Sequence, residues 1–313
     1  MAGHKKWSEI KHKRDKKEKP KVLIFGGGGW LAQKLYAGLK DKGFLTYLAL
    51  SSIDITDPDS VKGAIEETRP EIIINAAGKT GRPNIDWCET HKEETWQSNV
   101  LGPNVLAEAC RERNIMMAHL SSGCIFDGSS PDQNGFTEED VPNPVSYYGE
   151  TKIEAEKVLK EFQTLILRLR MPVDNSPNLR NLITKLAGYS KVIDVLNSVT
   201  VVDDLILATA RLMHLGRTGI YHVVNPRPIR HKDILSWYRE IVDPSHSYEL
   251  IQPEELLSQG LAKASRSNCI LSTAKLIKDR IYLPDAEWAV KYCLRKYAKE
   301  WPAYKASLEN RRY

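Results

Sequence analysis

The sequence lacks the features that would place it outside the cell or in a membrane. Its five cysteines, Cys88, Cys110, Cys124, Cys269 and Cys293, are odd in number and form no C-x-x-C pair. That argues against a disulfide framework or a zinc-binding fold and for a reducing compartment. No apolar run approaches the roughly 18 residues of a membrane-spanning helix, so a soluble chain with no membrane partner is expected. The basic N-terminus has no apolar core behind it and does not read as a secretory signal. Together these absences favour the cytoplasm. The body of the chain also lacks an excess of either charge. Residues 1 to 20 hold eight Lys or Arg against three acids, which accounts for the net charge of +5, and the remainder has 37 of each sign. A nucleic-acid surface is therefore expected nowhere but in that tail.

What the chain does have is a strand, a glycine turn and a helix near its start. In Lys21 to Leu35, KVLIFGGGGWLAQKL, the apolar run Val22 to Phe25 reads as a buried parallel strand, and Trp30, Leu31, Ala32, Leu35 and Leu39 keep helical spacing. Glycine between them lets a pyrophosphate approach the backbone N–H groups and the positive end of the helix. Two registers fit, Gly27, Gly29, Ala32 or Gly26, Gly29, Ala32. Beyond the turn, short apolar runs alternate with amphipathic segments, which predicts an α/β fold with a Rossmann-type doubly wound parallel sheet.

Strands are expected at Phe44 to Leu50, Glu71 to Asn75, Ile115 to Ser121 and Thr164 to Leu169. Helices are expected from Asp57 as N-cap to about Thr68, from Asp86 to Arg113 with a kink or break at Pro103, and from Tyr147 to Phe162. Past Met171 the alternation weakens, and Val199 to Leu215 and Ile220 to Asn225 read as a further helix and strand of the sheet. The expected division is a basic tail at 1–20, a dinucleotide domain at 21–170 to which 199–225 returns, a smaller substrate lobe from 171–198 and 226–300, and a loose polar end at 301–313.

The chemistry centres on Tyr148 and Lys152 in YYGETK. Four residues apart on one helix they share a face, where the ammonium can lower the phenol pKa and reach a nicotinamide ribose, and the phenol can give or take a proton during hydride transfer. Ser122, directly after a buried strand, could hydrogen-bond a substrate carbonyl. With the glycine turn and the Asn75, Ala76, Ala77, Gly78 segment, this set resembles the extended short-chain dehydrogenase/reductases, and Tyr148 and Lys152 then favour the register Gly26, Gly29, Ala32. Over NAAGKTGRPNIDWCETHK (Asn75 to Lys92), SSGCIFDG (Ser121 to Gly128), LRMP (Leu169 to Pro172) and RNLITK (Arg180 to Lys185), the chain resembles more closely the plant-type bifunctional nucleotide-rhamnose synthases. These are 3,5-epimerase/4-reductases related to bacterial dTDP-4-dehydrorhamnose reductase.

That resemblance implies a UDP- or dTDP-4-keto-6-deoxyhexose as substrate. The C4 ketone makes the C3 and C5 hydrogens acidic, so an acid–base pair inverts both centres before reduction. Ser122 and Tyr148 would polarise and protonate the C4 oxygen while Lys152 orients the nicotinamide, and Cys88 and Lys185 match the epimerase acid and base. Cofactor contacts are implied for Gly26, Gly29, Trp30, Leu31, Ser51, Asp54, Asn75, Ala76, Ala77, Gly78, Tyr148, Lys152 and Met171. No carboxylate precedes Asp54 at the end of the second strand, which leans towards NADPH with NADH possible. Arg82, Asn84, Arg266 and Asn268, the last two in ASRSNCILSTAKL (Ala264 to Leu276), are implied for the nucleotide sugar. Extended members commonly form homodimers through two helices per subunit, here Asp86 to Arg113 and Tyr147 to Phe162. Two alternatives stand beside this reading: a reductase without epimerase activity, and an NADP-binding regulatory protein like the non-catalytic subunit of methionine adenosyltransferase. Residues 1–14 resemble the start of YebC-family proteins, which is the basis for considering a nucleic-acid role for the tail.

Overall fold

The computed structural model of the chain describes residues 18–309, so the basic tail with its YebC-like start, and the nucleic-acid expectation attached to it, lie outside the described residues. Six parallel strands form the central sheet: β1 (Lys21–Phe25), β2 (Leu45–Leu48), β3 (Ile72–Asn75), β4 (Met116–Ser122), β5 (Leu165–Leu169) and β6 (Gly219–His222), in the spatial order β2-β1-β3-β4-β5-β6. The chain leaves β1 towards β2 on one side and returns to β3 on the other, so the strand order reverses beside β1. Such a reversal opens a crevice at the carboxyl ends of the strands, where doubly wound sheets bind ligands.

Both sheet faces are apolar and covered, as parallel sheets require. On one face Val22, Ile24 and Leu167 pack with Leu35 and Leu39 of helix Trp30–Lys40 and with Leu205 and Leu212 of helix Val202–His214. On the other, Leu23, Phe25 and Ile73 meet Val61 and Ile65 of helix Pro58–Thr68 and Leu106 of helix Gly102–Glu112. Asp57 caps the third of these helices, accepting the N–H groups of Asp59 and Ser60.

The stretch expected as one kinked helix from Asp86 to Arg113 consists of short helices Asp86–Thr90 and Lys92–Trp96, a π-helical turn Gln97–Leu101, and helix Gly102–Glu112. Pro103 explains the widened turn. It has no N–H for the carbonyl four residues back, and the Gly102 N–H reaches five residues back, to Gln97 O.

A second apolar cluster lies beyond β5, built from Leu182, Ile183 and Leu186 of helix Leu182–Ala187, Ile234, Leu235 and Tyr238 of helix His231–Ile241, and Val290, Leu294 and Tyr297 of helix Ala286–Glu309. Three short strand pairs border it: Pro172–Val173 with Thr200–Val201, Lys191–Ile193 with Glu249–Ile251, and Leu196–Asn197 with Ile229–Arg230. As far as Glu309 the end of the chain is helical rather than loose. Its last helix runs through Pro302 to Glu309, because the Trp301 ring stacks on Tyr297 at 5.4 Å and meets Tyr238 edge-on at 6.2 Å. Among the described residues no helix is long and apolar enough to cross a membrane.

Candidate active site

The glycine turn opens the site. Gly26 follows β1 with φ +84°, and a Cβ there would stand 2.6 Å from Ala77 N. Gly27 is as tightly held, since its Cβ would lie 2.3 Å from Ala49 O. The Gly29 N–H bonds Gly26 O at 2.7 Å, and Gly29 begins helix Trp30–Lys40 with no side chain capping its first N–H groups. Those donors, at the positive end of an eleven-residue helix, form a cradle that fits a pyrophosphate. Leu31 is half-buried and Trp30 packs on the sheet core beside it. At the end of β2, Ser51 is exposed and close to Gly28, with its Cβ 3.5 Å from where a Gly28 Cβ would stand. Asp54 turns its carboxylate onto its own loop, accepting Thr56 N at 2.9 Å and Thr56 Oγ1 at 2.8 Å.

From the end of β3, Asn75 accepts the Ala77 N–H at 3.0 Å and lies 3.1 Å from His119 Nδ1, so the Asn75–Gly78 segment bends over the turn. Asn99, which sequence reasoning passed over, fixes the continuation. Its side chain accepts Lys79 N–H at 2.7 Å, donates to Lys79 O at 3.0 Å and reaches Thr151 Oγ1 at 3.2 Å. The signal available was Pro103, which forces the π turn that carries Asn99 inward.

Helix Tyr147–Leu159, capped by Ser146, brings Tyr148 and Lys152 to this edge. Both are buried, and Lys152 Nζ donates to Leu120 O at 3.2 Å and lies 3.5 Å from where a Gly78 Cβ would stand. The Ser122 hydroxyl lies near enough to the Tyr148 phenol to oppose the rise of its pKa, and it accepts Cys124 N–H at 3.1 Å. Burial drives the phenol well above the ordinary tyrosine range, with the Ser122 hydroxyl and the Arg170 charge opposing it. Sequence reasoning expected a phenol made more acidic by Lys152. Burial dominates instead, and it also lowers the Lys152 ammonium to about 8, against the charge of Glu156. Tyr148 is therefore a neutral phenol able to donate its proton.

Cys88, on helix Asp86–Thr90, is fully buried with its thiol 3.9 Å from Lys79 O, and burial raises its pKa. Lys185, on helix Leu182–Ala187, is lowered by burial and by the Arg180 charge, with Cys124 the thiol acting on it in the opposite direction. Cys124 is thus a second thiol at the site, half-buried, with Arg170 Nη1 2.9 Å from its sulfur. The buried Arg170 also bonds Asn197 Oδ1 at 2.8 Å and the Ser267 carbonyl. Met171, with φ +42°, carries the chain away from β5, its sulfur 3.4 Å from His231 Nε2.

Arg82, exposed, precedes the cis peptide to Pro83, and Asn84 caps the next turn by accepting Asp86 N–H at 2.9 Å. Arg180 ties this loop down through Thr80 Oγ1 at 2.9 Å and Gly81 O at 2.7 Å. Arg266 forms a forked ion pair with Asp86. The Asn268 side-chain amide donates to Arg266 O at 2.8 Å, and its Oδ1 accepts from Asn197 at 3.0 Å. Asn268 is thus a brace for the Arg266 segment. Among the described residues no group of three His, Cys, Asp or Glu could hold a metal ion.

The site is therefore a cradle for a dinucleotide at β1 and β3, a hydroxyl–phenol–ammonium set between β4 and its following helix, and a thiol and a lysine across from them. Residues 20–299 match the family model of the RmlD substrate binding domain. The chain is 40% identical over 261 residues to a bifunctional dTDP-4-dehydrorhamnose 3,5-epimerase/dTDP-4-dehydrorhamnose reductase of Arabidopsis thaliana, covering 81% of this chain and 85% of that one. It is 38% identical over 287 residues to the trifunctional UDP-glucose 4,6-dehydratase/UDP-4-keto-6-deoxy-D-glucose 3,5-epimerase/UDP-4-keto-L-rhamnose-reductase RHM2 of the same plant, covering 90% of this chain but only 42% of that longer protein. The solved L780 UDP-rhamnose synthase of Acanthamoeba polyphaga mimivirus is similar at a TM-score of 0.82 and 32% identity, covering 88% of this chain and 99% of that one.

Proposed function

Because the chain belongs to the family of the RmlD substrate binding domain, we propose that it is an NADPH-dependent 4-keto reductase that first epimerises its substrate at C3 and C5. The substrate is a UDP- or dTDP-4-keto-6-deoxyhexose and the product a nucleotide-linked L-rhamnose. The observation that carries this reading is the placing of the buried Tyr148 and Lys152 one turn apart on one helix against the end of β4, where Ser122 stands and Lys152 Nζ donates to Leu120 O at 3.2 Å. NADPH, when bound, supplies a hydride. The glycine cradle and the Asn75–Gly78 segment would hold its phosphates and ribose, and the Asp54 carboxylate is engaged with Thr56. NADH is the alternative cofactor.

Ser122 and Tyr148 hydrogen-bond the C4 oxygen, and Tyr148 gives it a proton as the ketone becomes an alcohol. For epimerisation, Lys185 removes a proton next to the ketone and a thiol returns one to the opposite face. Cys88 and Cys124 both qualify, and Cys124 is the thiol that shares a field with Lys185. In this reading residues 21–170 with 199–225 hold the dinucleotide, 171–198 and 226–300 hold the sugar nucleotide, and Arg82, Asn84 and Arg266 line its entry. The free cysteines suit a cytoplasmic location. The exposed Trp96 and Leu101 suit a homodimer contact through Asp86 to Arg113 and Tyr147 to Phe162.

The test is incubation with UDP- and dTDP-4-keto-6-deoxyglucose plus NADPH or NADH, with product stereochemistry read by NMR. A rhamnose product supports the full reading. NADPH oxidation without inversion, or no deuterium uptake at C3 and C5 in heavy water, leaves a reductase alone. Cofactor binding with no turnover of either sugar favours the regulatory alternative. C88A and C124A, compared by deuterium uptake, identify the thiol.

A further inference from the structure

Beneath the phenol and ammonium lies a buried charged row that the proposed reaction does not use. Ser121, Arg168 and His222 are register partners across β4, β5 and β6. Ser121 Oγ donates to Glu156 Oε1 at 2.5 Å, and Arg168 holds the same carboxylate through Nε at 3.0 and 3.1 Å and Nη2 at 2.6 Å. The other guanidinium nitrogen of Arg168 lies 3.1 Å from His222 Nε2. Arg168 is among the largest side chains fully shut from solvent, and Glu156 is 3% exposed. An ion pair this deep gains little stability over apolar side chains of the same volume. Its placement suggests a role in the site: Glu156 stands one turn beyond Lys152 on the same helix, and Ser121 is the residue before Ser122.

We propose that Glu156 is a positioning residue of the reductase site, supplying the counter-charge for the Lys152 ammonium and, through Ser121, fixing the strand end that presents Ser122. The groups that face Lys152 are the Tyr148 phenol and Glu156 on its own helix, Cys124 and His119 from β4 and the turn after it, and Cys88 from helix Asp86–Thr90. Glu156 is the one carboxylate in that set. Burial lowers Lys152 to about 8, and Glu156 is the first influence opposing it. Without the carboxylate the ammonium loses its proton within the physiological range, and with it the charge that holds the cofactor ribose.

The inference rests on the proposed role of Lys152 at the nicotinamide ribose, and it is tested with NADPH alone, so it does not depend on which sugar is turned over. NADPH affinity is measured between about pH 6.5 and 10 for the full chain and for E156Q, E156D and the E156Q/R168M pair, which leaves no unpaired buried guanidinium. The wild type should lose affinity as pH rises through the Lys152 value. In E156Q the midpoint should fall by about one unit, giving about fivefold weaker binding at pH 8, and in the pair, where the opposing Arg168 charge is removed as well, it should fall by less. E156D, which keeps the charge, should retain the wild-type midpoint. Wild-type affinity indifferent to pH over this range, or a midpoint unmoved in either neutral variant that folds, overturns the inference. Failure of keto-sugar turnover with the midpoint shift intact would instead overturn the proposed reaction.

Discussion

Asp86 holds Arg266 with both carboxylate oxygens, at 2.8 Å to Nη1 and 2.7 Å to Nη2, across 180 residues of sequence. Asp86 Oδ1 also accepts the backbone N–H groups of Lys263 and Ala264, at 3.0 and 3.3 Å. Burial alone would raise this carboxyl, but Arg266 and the two N–H groups reverse the effect and hold it below the ordinary aspartate range. The segment carrying Arg266 is thereby fastened to the helix that carries Cys88. Removing the fork by Asp86→Asn should leave the fold intact and let Arg266 wander. The interaction is partly exposed, so about 1 kcal/mol is expected, read as about a fivefold rise in KM for the nucleotide sugar. The Kd for NADPH should not change, because the cradle is elsewhere. Steady-state kinetics beside a cofactor titration checks both, and equal weakening of the two would sink the idea.

Asn99 makes a different kind of link. It satisfies both backbone groups of Lys79 and touches Thr151 on the helix of Tyr148 and Lys152. Asn99→Ala takes the acceptor from the part-buried Lys79 N–H and leaves the Lys79 carbonyl only the Cys88 thiol at 3.9 Å, which should lower stability by about 1–2 kcal/mol. The Gly78 segment should also loosen against Lys152, so kcat is expected to fall as well. Asn99→Asp keeps the acceptor for the Lys79 N–H but sets a carboxylate against the Lys79 carbonyl, and should be the more damaging of the two. Thermal melts with single-turnover reduction would separate the effects.

How far these relationships were legible in the sequence follows from the range of the forces involved. The central sheet was legible because β1 and β3 carry continuous apolar runs, β5 is apolar but for Arg168, and glycine at 26 to 29 can only be a turn; expected strand boundaries differ from the observed ones by one to three residues. Helix Pro58–Thr68 announced itself through Asp57 and Pro58, a cap read from adjacent residues. The final helix was not legible, because its end is held by Trp301 against Tyr238, a contact between distant parts of the chain. Asn99, Cys124 and Glu156 escaped for the same reason. Their partners Lys79, Arg170 and Arg168 are 20, 46 and 12 residues away, and nothing in local spacing marks them. The pKa of Tyr148 was misjudged because charge spacing on a helix says nothing about burial, which here is the larger influence.

Gly26→Ala tests the cradle directly. The new Cβ would meet Ala77 N at 2.6 Å on a backbone with φ +84°, so both sterics and conformation oppose it. A destabilisation of about 1–3 kcal/mol is expected, together with loss of measurable NADPH binding as the turn shifts off the Asn75–Gly78 segment. Gly43→Ala is the control: it also has positive φ, +91°, but nothing lies within 4 Å of its Cβ position. It should lose stability without losing cofactor affinity. Equal cofactor loss in both would show that backbone strain, not the close approach at Ala77, is what the cradle cannot tolerate.

Acid should destabilise the fold through its buried histidines. Burial lowers His231 to about 4 and His222 to about 3, the latter with the Arg168 charge adding to the effect. The unfolded chain protonates these rings near pH 6.5, whereas the native state does not until much lower pH. Their contribution is thus fully present above about 6.5 and is lost as pH falls towards 4. Each histidine that only the unfolded chain protonates removes about 1.4 kcal/mol per pH unit in that window. Asp204 acts in the opposite direction: burial raises it to about 6, so between its two values the native state binds the extra proton. The net slope is the difference of these effects, and a single variant isolates one of them. His231 lies 3.2 Å from Ile193 O and 3.4 Å from the Met171 sulfur, and His231→Gln can keep a donor there without a titrating ring. Urea unfolding at stepped pH should show the variant less stable than wild type near neutrality, yet with a shallower fall between pH 6.5 and 4, by about one proton. Parallel pH curves for the two proteins would remove His231 from the account of acid lability.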